Sequence, residues 1–180
     1  MLIKRKNWVI FLFLLIVPYV LVFLFSSENG GAGEKDLRYR APDGEAASGA
    51  GEGVPVRTVY VPIYSHVYFG DGKPYLLTAT LSIRNTDLVH GIIIKSAKYY
   101  DTDGKLVRSY LTKPLMLGPL ASKEILVEET DVEGGSGAKF IVEWTAEEGA
   151  ERPIIEAVMI GATDLRGISF ITAGKEIATK

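Results

Sequence analysis

An all-β fold, an antiparallel two-sheet sandwich of immunoglobulin type, is predicted for the chain after residue 55, on three observations. Short runs rich in Val, Ile, Thr, Tyr and Phe recur between clusters of Gly, Asp, Asn and Pro. Those runs alternate apolar and polar residues, the period of a strand with one buried and one wetted face. No stretch after Val56 sustains a helical period. Seven or eight such strands in about 120 residues suit two packed sheets, with a small β-barrel as the alternative.

The first element precedes this domain. Residues 8–25, WVIFLFLLIVPYVLVFLF, carry no charge and follow the basic cluster Lys4, Arg5 and Lys6. As a helix they would span roughly 27 Å, close to the hydrocarbon thickness of a bilayer. Pro18 is tolerated there as a kink, and Trp8 suits the interface. A cleaved signal peptide is the competing reading, but its apolar region is shorter, about 7 to 15 residues. Only Gly30 and Ala32 loosely fit a cleavage site. The expectation is a single-pass signal anchor, with residues 1–7 cytoplasmic and everything after residue 25 extracytoplasmic, periplasmic or at the cell surface. Residues 26–55, rich in Gly, Ala, Ser and Glu, bury too little to fold and read as a flexible linker with a root-mean-square span of roughly 30 Å.

The domain itself is expected over residues 56–173, followed by a tail at 174–180. Its first run, RTVYVPIYSHVYF at 57–69, contains Pro62, which cannot donate to a ladder, so an edge strand or two short strands are expected. In PYLLTATLSIRN, Leu77, Ala79, Leu81 and Ile83 share one face while Thr78, Thr80, Ser82 and Arg84 share the other. Further strands are expected at 92–100, 105–111, 123–129, 139–145, 154–162 and 168–172. In KFIVEW, Phe140, Val142 and Trp144 face one way.

YYDTDGKLVR, residues 99–108, resembles a calcium loop at first sight. A loop of that kind needs a glycine at its sixth position and a glutamate at its twelfth. Counted from Asp101, Gly104 is fourth and Thr112 is twelfth. A hairpin is expected instead, with Thr102 and Asp103 in a type I turn and Gly104 at the left-handed position. That loop sets Asp101 opposite Lys105, Tyr100 opposite Leu106 and Tyr99 opposite Val107.

Net charge is −2, and setting aside the three positive charges of Lys4, Arg5 and Lys6 leaves −5. Such a mildly acidic exterior argues against nucleic acid as a partner. The chain has no cysteine, so neither a disulfide framework nor a lipid-modified cysteine is available, and the domain rests on its apolar core.

Ser65, His66 and Asp71 invite a triad, but neighbouring strand residues point to opposite faces, so Ser65 and His66 are not expected to act as nucleophile and base. A zinc site would have to recruit His66 and His90 with Asp87 or Asp71, and no metal or other cofactor is expected. EGGSGAKF at 133–140 lacks the lysine and helix of a phosphate loop. The acids Glu128, Glu129, Asp131 and Glu133 near it read as a solvated edge.

The segments VPIYSH, LSIRNTD, YYDTDGKLVR, LGPLAS, GGSGAKFIVEW and EAVMIG, in this order, resemble an uncharacterised bacterial domain-of-unknown-function family of exported envelope proteins. The similarity spans residues 56–170 and implies an exported domain without assigned catalytic residues. Many members look lipid-anchored through a cysteine, and this chain departs from them by carrying an apolar segment instead.

The function expected is therefore a membrane-anchored envelope protein, not an enzyme, displaying a binding or structural module for an envelope protein or glycan. Aromatic rings with polar tips are favoured at interfaces, which nominates Tyr60, Tyr64, His66, Tyr68, Tyr99 and Tyr100 as the partner surface. One alternative is a hydrolase of envelope polymers using Glu143, Glu156 or Asp101, which needs two carboxylates about 5 to 9.5 Å apart across a cleft. Another is an accessory subunit whose membrane segment, through Pro18 and Tyr19, packs in a larger complex.

Overall fold

The computed structural model describes residues 54–163 and 166–179. The expected basic end 1–7, membrane segment 8–25 and all but the last two residues of the linker 26–55 lie outside the described residues. Among the described residues no helix is long and apolar enough to cross a membrane.

The described part is all-β, without a helix, and its strands pair antiparallel. The strands are β1 (Arg57–Pro62), β2 (His66–Phe69), β3 (Lys73–Leu76), β4 (Thr78–Arg84), β5 (Ile92–Tyr100) and β6 (Leu106–Ser109). They continue as β7 (Leu115–Leu117), β8 (Ser122–Val127), β9 (Lys139–Ala146), β10 (Ile154–Ala162), β11 (Gly167–Ala173) and β12 (Lys175–Thr179). One sheet runs β12-β1-β9-β5-β6, with β7 pairing the first half of β5. A second runs β11-β10-β4-β8, and β2 and β3 form a separate hairpin.

The alternation in the sequence sets which faces close. Val61, Ile94, Phe140 and Val142 of the first sheet and Leu81, Ile83, Ala157 and Met159 of the second are fully buried in one shared cluster. Burial of each large aliphatic chain contributes about 1.5–3 kcal/mol, so this cluster is the main source of stability in a chain without disulfides. On β4 the expected faces are observed, with one exception: Ser82, on the face away from the core, is also buried, and its hydroxyl accepts from Arg84 Nε at 3.0 Å.

Pro62 ends β1, and the run breaks into two short strands there. The bend that follows is tied to the loop before β9, Ile63 N–H donating to Ala138 O at 3.0 Å and Ser65 N–H to Gly135 O at 3.2 Å.

The hairpin between β5 and β6 has the expected turn. Gly104 has φ of 83°, and Gly104 N–H donates to Asp101 O at 3.1 Å. Asp101 N–H donates to Lys105 O, and Tyr100 pairs with Leu106. Tyr99, however, pairs with Arg108, not Val107. A bulge at Val107 of β6 shifts the register by one residue. Tyr99 itself lies on the core side because an irregularity at Lys95 of β5 moves the buried positions from Ile92 and Ile94 to Ala97 and Tyr99.

The expected tail 174–180 needs a larger correction, because Lys175–Thr179 is strand β12. It pairs with β1, Tyr60 opposite Lys175 and Arg57 opposite Thr179. Gly174 carries the chain from the second sheet to the first, its N–H donating to Ile155 O at 2.8 Å. A Cβ there would lie 2.6 Å from Ile155 O and 2.7 Å from Val59 Cγ1, so only glycine lets the crossing pass this close. Arg57 and Arg152 both pair with Glu176, at 3.6 and 3.5 Å.

Candidate functional site

The six residues nominated as a partner surface separate into three groups. Tyr99 is fully buried and packs on Phe140, ring centroids 5.2 Å apart, so it belongs to the core. Tyr60 and Tyr100 are half-buried. Tyr60 lies between buried Val59 and Val61, and Tyr100 follows buried Tyr99, so alternation turns both away from the core of the first sheet. Tyr64, His66 and Tyr68 gather at the bend after β1 and along β2. There Tyr64 meets Phe170 edge-on at 5.6 Å, and His66 meets Tyr68 edge-on at 5.1 Å.

Beside this third group the chain builds a groove, which of the three residues only Tyr68 lines. The tight turn Gly70-Asp71-Gly72, with both glycines at positive φ, folds β3 back on β2 and sets Val67 opposite Tyr75 and Phe69 opposite Lys73. Tyr75 fixes the hairpin to the second sheet. Its hydroxyl donates to Arg166 O at 3.0 Å, and its ring lies so close to Gly161 that a Cβ there would be 2.5 Å from Cε1. A groove of ≈ 280 Å³ results, lined by Val67, Tyr68, Phe69, Tyr75, Arg166 and Ile168. Tyr68 and Phe69 stay 64% and 59% exposed, and the Arg166 guanidinium stands 5.2 Å over the Phe69 ring. Exposed aromatic faces with one planar cation suit an apolar or planar group carried by a partner. Phe69, Tyr75 and Arg166 were not among the nominated residues. Phe69 lies within the run that nominated Tyr68, but Arg166 comes into place only through the β10–β11 turn.

Ser65 and His66 correct a sequence argument. Ser65 Oγ and His66 Nδ1 share a hydrogen bond of 3.1 Å whose direction follows the imidazole tautomer. The rule of opposite faces does not hold because Ser65 lies in the bend before β2, not in a strand. Ser65 is itself buried, and Asp71 is spent in the exposed hairpin turn.

The most elaborate polar construction lies at the other end of β4. Asn85 Nδ2 donates to the carbonyls of His90 at 2.8 Å, Leu117 at 3.2 Å and Gly118 at 2.9 Å, and Asn85 Oδ1 accepts from Asp87 N–H at 3.0 Å. Asp87 Oδ1 accepts the N–H groups of Val89 and His90, at 2.7 and 2.8 Å. Its Oδ2 accepts Glu151 N–H at 2.9 Å and His90 Nδ1 at 3.1 Å. The N–H groups of His90, Glu151 and Val89 hold this carboxyl well below the usual carboxylate range. Asn85 and Asp87 thus staple three loops together. Asn-x-Asp directly after a strand is the sequence signal for such a loop, its side chains replacing ladder partners.

The carboxylates of the hydrolase alternative do not converge. Glu143 lies between buried Val142 and Trp144, and Glu156 between buried Ile155 and Ala157, so each leaves its own sheet on the side away from the shared core. Glu143 accepts the Ser96 hydroxyl at 2.8 Å, and Asp101 Oδ1 accepts Lys105 N–H at 2.8 Å. Among the described residues no group of three or more His, Asp or Glu is placed to hold a metal ion.

The order and spacing of these segments can be compared with known proteins. A family model described as Protein of unknown function (DUF3124) matches residues 56–177. The chain belongs to this family. The DUF3124 match takes in all of β1 to β11, the groove and the Asn85–Asp87 staple, and ends within β12. No curated protein matches the chain. Among solved structures, the one titled "Crystal Structure of Thermotoga maritima 1070" is similar at 13% identity and a TM-score of 0.38, over 66% of this chain and 92% of that one.

Proposed function

We propose that this protein is a membrane-anchored envelope protein whose domain, a two-sheet sandwich of immunoglobulin type, presents the β2–β3 groove to a partner. The observation that carries the reading is the pair Tyr68 and Phe69, solvent-facing aromatic rings beside a groove in a chain otherwise able to bury its large rings, as Tyr99 and Phe140 do. Large exposed apolar side chains gathered in one place mark interaction sites more often than scattered ones do. The sandwich reading is supported by two antiparallel sheets that bury their facing residues in one cluster. The anchor reading is supported by the uncharged residues 8–25 behind three basic residues.

The groove also lies at the end of the domain opposite Val54. The described chain begins at Val54, beside the start of β1, while the groove joins the start of β11 to the β2–β3 hairpin. A tether of roughly 30 Å would then hold the groove outward, toward envelope protein or glycan.

Pull-down after crosslinking in intact membranes tests this. The full chain is expected to enrich a partner or glycan, and Tyr68→Ala with Phe69→Ala to lose it several-fold. Equal enrichment by the double variant would remove the groove from the reading, and resistance of the domain to protease added to spheroplasts, whose outer face of the cytoplasmic membrane is accessible, would remove the topology.

A further inference from the structure

The end of the domain at which the chain enters carries a second set of exposed apolar residues. Leu88 and Val89, in the β4–β5 loop, are 75% and 74% exposed, and Leu120, before β8, is 63% exposed. The loops are held together: Leu120 N–H donates to Asp87 O at 3.2 Å, and Asn85 bonds Leu117 O and Gly118 O. Leu120 keeps a φ of 58°, unusual outside glycine, so this tip is fixed in place with its leucine outward.

The same end receives the chain from residues 1–53. Ile92 pairs with Ala146, Arg57 pairs with Trp144, and Pro55 O accepts the Thr145 hydroxyl at 3.0 Å. A cavity of ≈ 490 Å³ there is lined by Val54, Pro55, Arg57, Trp144 and the loop 146–150. That loop runs on to Glu151, whose N–H is held by Asp87. Val54, the first described residue, and the apolar tip therefore share one end of the domain.

We infer that Leu88, Val89 and Leu120 form a docking surface for the bilayer itself, seating the domain on the membrane that residues 8–25 are proposed to cross; the inference rests on that anchor reading. The tether keeps this surface at high local concentration near lipid, so a few apolar side chains suffice for reversible contact. The neighbouring acids Glu147, Glu148 and Glu151 give no attraction to anionic headgroups, so insertion is apolar and proceeds on zwitterionic lipid. A rigid tip suits this role, since it need not be ordered on contact.

The chain has no cysteine, so single cysteines can carry an environment-sensitive fluorophore in the full-length protein. Leu88→Cys and Leu120→Cys probe the tip, with Val89→Cys as a further position. Lys105→Cys, at the far end of β5, is the aqueous control, and Val20→Cys reports the anchor. In phosphatidylcholine vesicles whose acyl chains carry a nitroxide quencher, the labels at 88, 120 and 20 are expected to be quenched several-fold more than that at 105. Quenching at 20 but not at 88 and 120 overturns the docking surface and leaves the anchor standing. No quenching at 20 removes the anchor and this inference with it. Labels at 88 and 120 shielded from aqueous iodide yet untouched by the lipid quencher mean that protein covers the tip, which also overturns it.

Discussion

Asp87 Oδ2 accepts the N–H of Glu151 at 2.9 Å, across a sequence separation that spans half of the domain. This bond joins the β4–β5 loop to the β9–β10 loop, and those from Val89 and His90, within the first loop, set where Leu88 and Val89 stand.

Asp87→Ala is expected to lower the thermal midpoint more than Asp87→Asn, since the amide oxygen still accepts while alanine leaves several N–H groups unpaired. The pH dependence has a definite sign. The folded carboxyl lies well below its ordinary 3.8, so its contribution is complete above that value and is lost as pH falls from there toward the folded pKa. Denaturant titrations on the acid side should show the wild type losing its advantage over Asp87→Asn below about pH 4. An advantage that does not change with pH would show that the charge of Asp87 plays no part in the staple.

Tyr99 offers a case of the opposite sign. Its ring is fully buried against Phe140 and Tyr110, yet its buried hydroxyl has no hydrogen-bond partner among the described residues. Tyr99→Phe is therefore expected to be neutral or to stabilise by about 1 kcal/mol, and Tyr99→Ala to cost about 3–5 kcal/mol. Burial, and then the charge of Asp131, push the phenol up to about 12 from 10.0. Its neutral form is thus favoured in the fold, and this contribution is lost as pH rises from 10.0 to about 12. Chemical denaturation across that range should show wild type falling relative to Tyr99→Phe, and parallel curves would refute the assignment.

Gly161→Ala tests what positions the groove. A Cβ at 161 would meet Tyr75 Cε1 at 2.5 Å, Leu76 O at 2.7 Å and Leu77 Cδ2 at 2.8 Å, and one of these contacts is backbone. The β2–β3 hairpin should shift off the second sheet while the strands of the core remain paired. Amide exchange is expected to rise in residues 66–76 more than in β4 or β9. Uniform change across the domain would mean that the hairpin has no independence.

Several features were legible because they depend on residues close in sequence. The two faces of β4 follow from strict alternation, the break at Pro62 from its missing donor, and the β5–β6 turn from the need for positive φ at Gly104. β12 was not legible, since KEIAT is short and polar and becomes a strand only because β1 offers it an edge. The irregularity at Lys95 of β5, after which Ala97 and Tyr99 but not Tyr100 face the core, was hidden for a similar reason: a register can slip by one residue without any change in composition. Ser65 and His66 were misjudged because a bend, not a strand, joins them.

What the sequence determined by itself was the all-β class, the sided strands and the family, because hydrophobic period and turn chemistry are local properties. Only the tertiary structure decided which aromatic rings are left in solvent, that Arg166 joins Phe69, and that Leu88, Val89 and Leu120 share an end with Val54. Each of those outcomes depends on pairing between strands distant in sequence, and a strand carries no mark of its partner until both compete for the same core.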